Sequence, residues 1–370
     1  MKVNQRLLQI SLAPQTQIRG PEDASQAEGL ERFGSLHTPR GTGACLLNEK
    51  TNGPVGGPGP LAGSLFHEHW WLSAVGGGRI REVTVKSGER VVGRLPFTDA
   101  RSMGLRISRM PAFTHVLGPL VDTGSGKLQT QLRRHYAITT DLIDQLPHFT
   151  FFTQTFESST TNALAFQGRG FDVSTQYTFQ INCRDTLANI WGGMRDKTRN
   201  LIRRADEEYS VRSLDDPEHF IAFYLDNLRK IGHKNRMQFE YFPTVFSECK
   251  ARGSGELLAA FAQNGMPAAM VFLVWGPEIM YYLLSTRAPD ITNNDAISLL
   301  LWKAMHRAHQ MKKIFDLDGI YSIGSFRFLS GFGGYLQTRI VVKRIHPFYA
   351  VARFARRAVL GRENSTFMPN

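Results

Sequence analysis

The sequence predicts a mixed α/β protein built from two similar units, and three observations carry that prediction. Residues 281–334 read as a strand, a polar loop, a long helix and a second strand. The helix is well marked, because Ile297, Leu300, Leu301, Ala304, Met305 and Ala308 recur at intervals of three and four behind Asn294, a good cap. The order of elements in this half repeats an order found upstream, an agreement of elements rather than of residues. At 370 residues the chain is long enough for two domains with cores that need no disulfide staples.

Taken in order, residues 1–63 are expected to form a disordered extension. They are rich in Gly, Pro, Ser, Thr and Gln, include the run Gly53 to Pro60, and show no sustained period. The patch Leu7 to Ala13 is broken by Gln9 and Ser11 and lacks a cleavage pattern, which argues against a signal peptide. Order is expected to begin near Leu65, with a short amphipathic helix over Phe66 to Leu72. Arg81 to Lys86 and Arg90 to Phe97 have strand composition around Ser87-Gly88-Glu89, a hairpin signal. A helical pattern runs through Leu128, Leu132, Tyr136, Leu142 and Leu146, followed by strands at Phe149 to Phe156 and Tyr177 to Ile181. The first unit is assigned to residues 64–184. The second, 185–346, has a strand pair at Leu257 to Ala262 and Met266 to Trp275, a strand at Ile279 to Ser285, the helix from about Asp295 to Met311, and a strand at Phe315.

Charge and cysteine content limit the function classes. The chain holds 44 Lys and Arg against 32 Asp and Glu, a formal charge of +12. Residues 1–63 carry six cations against five anions, so nearly all of the surplus lies in the folded part. Such a surface concentrates anionic partners, whether nucleotides, tRNA, lipid headgroups or glycans. Cys45, Cys183 and Cys249 are an odd, scattered set without metal-ligand spacing, which fits a reducing, cytoplasmic setting. No run reaches the roughly 18 apolar residues of a spanning helix. His67 and His69 lack a companion carboxylate at metal spacing, and no metal is expected.

The loop after the Ile279 strand holds Ser285, Thr286, Arg287, Asn293 and Asn294, which form the candidate phosphate cradle at a helix N-terminus. Ordinary capping accounts for Asn294 without a ligand. Arg195, Arg199 and Arg203 recur at i, i+4 and i+8, a stripe of cations that is either a solvated helix face or a contact for donor phosphates or an anionic acceptor. Over 347–370, Phe348, Val351, Ala355 and Val359 fall on one helical side and Arg353, Arg356 and Arg357 on another. That basic amphipathic helix either touches anionic membrane, through 347–360, or docks on the protein itself.

The stretch Met194 to Ala205, the strand end Phe315-Asp316-Leu317-Asp318-Gly319, and Arg327, Phe328, Phe332, Gly333 and Gly334 together resemble the Fem-like branch of the GNAT acyltransferase superfamily. The resemblance covers about residues 64–345. It implies two tandem GNAT-like domains and transfer of an acyl or aminoacyl group to an amine. Leu329 stands where Fem-type peptidoglycan ligases carry a lysine, no inserted coiled-coil arm is found, and the GNAT pyrophosphate signature Q/R-x-x-G-x-G/A is missing. The expected donor is therefore acyl-CoA rather than aminoacyl-tRNA, and the expected acceptor an amine of a cell-envelope sugar, peptide or lipid precursor. An aminoacyl-tRNA-dependent ligase and a non-catalytic module binding anionic glycan or lipid are the alternatives.

Acyl transfer to an amine needs donor positioning, removal of a proton and stabilisation of an oxyanion. Asp316 and Asp318 lie two apart on a strand and are expected on one face, where they bind the acceptor ammonium and take its proton. Either carboxylate is alternatively structural. Arg327 is read as a carboxylate, phosphate or oxyanion partner, or as a salt bridge to Asp316 or Asp318. Tyr281 and Tyr282 occupy opposite faces of their strand, and Tyr281 is taken into the candidate site.

Overall fold

The computed structural model describes residues 63–289 and 294–349 apart from 103 and 348, together with 45, 46 and 61. All of them belong to one compact unit beginning at Thr42. The strands are β1 (Cys45–Leu46), β2 (Ile80–Ser87), β3 (Arg90–Thr98), β4 (Ala100–Ser102), β5 (Leu105–Ser108), β6 (Leu120–Val121), β7 (Phe151–Thr155), β8 (Asp172–Asn182), β9 (Ser210–Leu214), β10 (Gly255–Phe261), β11 (Pro267–Trp275), β12 (Ile279–Arg287), β13 (Ile314–Gly319) and β14 (Tyr335–Ile345). The helices are α1 (His69–Gly76), α2 (Leu128–Asp144), α3 (Leu164–Gly168), α4 (Leu187–Gly192), α5 (Asp196–Glu208), α6 (Pro217–Lys230), α7 (Phe242–Ala251), α8 (Asp295–Gln310) and α9 (Ile323–Leu329). The hairpin, the long helices and the later strands thus fall where periodicity places them.

The strands form a small sheet, β1-β2-β3-β6, and a ten-stranded sheet, β4-β5-β7-β14-β8-β13-β12-β11-β10-β9. Helices cover both faces of the second-half strands. On one face Ile202 of α5 and Leu300 and Ala304 of α8 pack against Leu273 and Phe315. On the other, Trp71 of α1, Phe220 of α6 and Phe242 of α7 pack against Phe272 and Tyr281. In the first half Leu142 and Ile143 of α2 and Phe166 of α3 close a third core over Phe152 and Val342. Leu128, Leu132 and Tyr136, which the helical pattern assigns to a buried side, are instead exposed, so only the C-terminal part of α2 is core.

Two departures from regular pairing position the site. β12 and β13 run parallel for three residue pairs, ending at Tyr281↔Asp316, while β12 continues to Arg287; the two strands therefore part beyond Tyr281. Leu283 is an extra residue between Tyr282 and Leu284 opposite β11, a bulge that bends β12 where the gap opens. β5 and β7 repeat the arrangement in the first half, parallel through Ile107↔Phe151 and Ser108↔Phe152, with α2 in the crossover as α8 is in the second.

Among residues 1–63 only 45, 46, 61 and 63 are described, the first two pairing with β2. The amphipathic segment expected over 347–370 lies outside the described residues except for 347 and 349. Tyr349 is buried against Phe151 and accepts a hydrogen bond from Arg109. Among the described residues no helix is long and apolar enough to cross a membrane.

Candidate active site

At the end of β13 the backbone bulges: Asp316 pairs with Gln180 and Gly319 with Thr178, so three steps on β13 match two on β8. Asp318 takes up the slack with φ of +67°, a left-handed conformation that is costly for a residue with a side chain. The two aspartates therefore do not share a face through regular alternation. They meet because the bulge turns the Asp318 N–H onto Asp316 Oδ1, at 2.9 Å.

Around them is a buried polar cluster drawn from both halves of the chain. Asp316 is fully buried and accepts hydrogen bonds from Thr178 Oγ1 at 2.7 Å and Gln180 Nε2 at 2.8 Å. Arg339, from β14 and only 3 % exposed, places Nη2 2.9 Å from Asp316 Oδ2 and Nη1 3.5 Å from Asp318 Oδ1. The Nη2 contact is electrostatic rather than a directed hydrogen bond, and Nε has no partner. Tyr321 donates to Asp318 Oδ2 at 2.9 Å, and His115 Nδ1 lies 3.1 Å from Asp318 Oδ1. Tyr281 donates to Glu157 Oε2 at 3.1 Å, while Tyr335 donates to Gln180 at 3.3 Å.

Burial sets the ionisation of this cluster. Loss of hydration pushes the Glu157 carboxyl above its ordinary value, against the opposing pull of Arg339. It lowers the His115 imidazole, although Asp318 opposes this. It also raises the Tyr281 and Tyr321 hydroxyls well above 10. For Arg339 burial is outweighed by Asp316, Asp318 and Glu157, so its pKa is raised and the guanidinium stays charged.

Beside the cluster, where β12 has left β13, lies a cavity of about 380 Å³ lined by residues of α6, β12, α8 and α9. Tyr282, Ser285, Thr286, Arg287, Asn294 and Phe328 are in its wall. The Tyr282 hydroxyl bonds Ser285, and its pKa is pushed up to about 12 mainly by burial, with Asp318 adding to the rise, so this side chain links cavity and cluster. Asn227 donates to Thr286 Oγ1 at 2.9 Å and leaves its own buried Oδ1 without a partner. Asn294 sits at the N-cap of α8, but its side chain makes no capping bond; the first-turn Asp295 accepts from the Ala296 N–H instead. Asn293 lies outside the described residues.

The structure therefore brings Asp316, Asp318 and Tyr281 together and gathers Ser285, Thr286, Arg287 and Asn294 at one cavity. It does not bring Arg327 to the aspartates: Arg327 is exposed on α9, and the arginine that pairs with them is Arg339. The basic stripe stays on α5. Arg199 bonds Asp196 and the carbonyls of Trp191 and Gly192, Arg203 lies over the Trp191 ring at 5.4 Å, and Arg195 is exposed. Arg339, Glu157, His115, Thr178, Gln180 and Tyr321 were missed. A signal existed for Thr178 and Gln180, whose alternation with Tyr177, Phe179 and Ile181 marks a polar face on a central strand. The paired glycines after Phe332 have a structural cause. Gly333 has φ of +79°, and a Cβ there would lie 2.6 Å from the Gly193 carbonyl oxygen, while Gly334, at +82°, is held as tightly against Gln180. They let the chain turn into β14 and deliver Arg339.

Comparison with known proteins agrees with this architecture. Residues 192–320 match the acetyltransferase (GNAT) domain family. The crystal structure of FemX superposes with a TM-score of 0.58 at 13 % identity, covering 78 % of this chain and 94 % of that one. Weaker likenesses are the C-terminal domain of a putative lysylphosphatidylglycerol synthetase from Agrobacterium fabrum (TM-score 0.47, 10 % identity, 76 % and 89 % covered) and L-PGS from Bacillus licheniformis (0.48, 12 %, 79 % and 93 %). No curated protein matches the sequence. The protein is thus an acyltransferase by class, with a GNAT domain in its second half. Its fold is that of FemX.

Proposed function

We propose that the protein is an N-acyltransferase that moves an acyl group from acyl-CoA to an amine of a cell-envelope sugar, peptide or lipid precursor. The observation that carries this reading is the parting of β12 from β13, which accompanies a cavity with hydroxyl, amide and guanidinium groups linked to the carboxylate cluster through Tyr282. The residues of the cavity suit a phosphorylated donor. Arg287 supplies positive charge, Ser285 and Thr286 supply hydroxyls, and Asn227 Oδ1 awaits a donor group. Asp295 already occupies the first-turn amide of α8, so Arg287 carries more of the anion binding than the helix terminus does. Coenzyme A, when bound, supplies an activated acyl carbon and a thiol leaving group.

The chain itself supplies the rest. Beyond Tyr281, β12 is unpaired on its β13 side, and its backbone N–H groups there are available to a developing oxyanion. Asp316 is committed to Thr178, Gln180 and Arg339 and orients Asp318, whose carboxyl faces the incoming amine. The acceptor ammonium is drawn toward this carboxylate pair, which a single guanidinium does not fully neutralise. Purified protein should release thiol from acetyl-CoA when given simple primary amines such as glucosamine or lysine, and Asp318→Asn should suppress it. Release that depends on added aminoacyl-tRNA and vanishes with ribonuclease would establish the ligase alternative. Absence of both binding and release would leave a non-catalytic module.

A further inference from the structure

His115 is a titratable group of the cluster that the reading above does not use. It comes from the first half, in the segment that follows β5, and is nearly buried, its side chain 12 % exposed. Its ring bonds the carbonyl of Leu283, the bulge residue of β12, yet Nδ1 has no hydrogen-bond partner. That nitrogen lies 3.1 Å from Asp318 Oδ1, which is likewise without a hydrogen-bond partner. When its proton is on Nε2, the neutral imidazole presents a lone pair at Nδ1, and two acceptors then face each other across a 3.1 Å gap. Asp318 Oδ1 has charge partners, Arg339 Nη1 at 3.5 Å among them, but neither it nor His115 Nδ1 makes a hydrogen bond, and a buried polar atom left so costs about 1–3 kcal/mol.

A path to solvent exists. Tyr321, a residue 41 % exposed, gives its hydroxyl proton to Asp318 Oδ2. The groups facing His115 are Asp316 and Asp318 from β13, Arg339 from β14 and the Tyr281 ring from β12, 6.5 Å away. Burial opposes an imidazolium there and holds the pKa below its ordinary value; the two carboxylates favour the imidazolium, and Arg339 opposes it.

We propose that His115 is the terminal proton acceptor of the transfer reaction, reached from the acceptor amine through Tyr321 and Asp318; this rests on the acyl-transfer reading above. As the amine nitrogen bonds to the acyl carbon, the C–S bond breaks and its electron pair leaves on sulfur. The acceptor ammonium has given one proton to solvent before attack; the second, on the nitrogen now bonded to carbon, passes to Tyr321 Oη while the tyrosine's own proton passes to Asp318. A half-turn of that carboxyl presents the proton to His115 Nδ1, and the departing thiolate is protonated from solvent. His115 and Asp318 then return the stored proton to solvent through Tyr321. His115 thus joins Glu157, Thr178 and Gln180 as a first-half contribution to a site whose aspartates belong to the second.

Two measurements test this. His115→Gln keeps the size but takes no proton. With acetyl-CoA and glucosamine it should release thiol about 10²- to 10⁴-fold more slowly at neutral pH with unchanged acetyl-CoA affinity. Its residual rate should climb with pH as the amine deprotonates unaided, and Tyr321→Phe should show the same profile. A rate within threefold of wild type on an unaltered profile overturns the proposal. Ring NMR of the wild-type protein, independent of turnover, should find His115 protonated at Nε2 and bare at Nδ1 at pH 7; a proton on Nδ1 overturns the proposal whatever the turnover. Wild-type protein with the expected tautomer but no thiol release overturns instead the acyl-CoA reading on which the relay rests.

Discussion

Replacing Arg339 by Met asks whether one buried guanidinium holds the two aspartates side by side. Its Nη2 and Nη1 atoms lie 2.9 Å and 3.5 Å from Asp316 Oδ2 and Asp318 Oδ1. At an effective dielectric of about 20 each contact is worth roughly 5 kcal/mol of gross attraction. Desolvation of the three groups returns most of that, so the assembled cluster is not a large net source of stability. The variant differs because the cost of burying Asp316, at 0 % exposure, is still incurred while its counter-charge is gone. Breaking a buried pair in this way typically costs about 3–5 kcal/mol. Urea unfolding followed by fluorescence should show that loss as a lower midpoint with an unchanged slope. Asp316→Asn in the Arg339→Met background should recover at least half, since the orphaned charge is then removed and Thr178 retains a partner. A loss below about 1 kcal/mol, or no recovery in the double variant, refutes the reasoning.

His67, 2 % exposed, has a pKa lowered from 6.5 to about 3, mainly by burial and then by Arg94. The folded state therefore resists protonation while the unfolded chain accepts it, so stability is complete above pH 6.5 and declines as pH falls toward 3. The loss at pH 5 should be about 2 kcal/mol, and urea midpoints of His67→Gln should show a flatter slope between pH 8 and 5 than wild type. Glu157, raised above 4.5 by burial, works in the opposite sense: its protonated form is the one the fold favours, so its contribution is complete below 4.5 and is lost as pH rises through the raised value. Gly333→Ala meets both a left-handed backbone and the Gly193 carbonyl, and should lower thermal stability by about 1–3 kcal/mol; an unchanged melting temperature would show that the turn relaxes. Arg287→Ala should raise the acetyl-CoA dissociation constant about 10- to 100-fold, with weaker salt dependence, and calorimetric titration that finds equal affinity would remove Arg287 from the donor site.

Local rules were enough for much of the fold. The hairpin β2–β3, the helix α8 and the strands around it follow from period and turn chemistry, because these elements bury one face against a near neighbour. β14 was not legible in the same way. Its residues Ile340, Val341 and Val342 have strand composition, but nothing local says that the strand returns across the chain to lie between β7 and β8. The paired glycines were visible as a pattern and their cause was not, since it lies in carbonyls of Gly193 and Gln180 more than a hundred residues away.

The same distinction explains the site. Asp316, Asp318 and Tyr281 were legible because chemistry-bearing residues at the ends of adjoining strands stay close wherever the strands go. The choice of Arg327 as their partner followed from nearness in sequence, but α9 turns that side chain outward, whereas Arg339 enters from β14 and faces them across β8. His115 and Glu157 come from beyond β5 and β7, the first-half strands that pair in parallel as β12 and β13 do. One central sheet brings residues that follow both strand pairs to the same polar cluster. A lone histidine in Thr114-His115-Val116 gives no sign of function by itself; its meaning depends on the unfilled 3.1 Å contact with a carboxylate two hundred residues later. A site that depends on this contact requires the two halves to be held in fixed register, and the buried Arg339 and the strand pairing of β8 with both β13 and β14 supply that constraint.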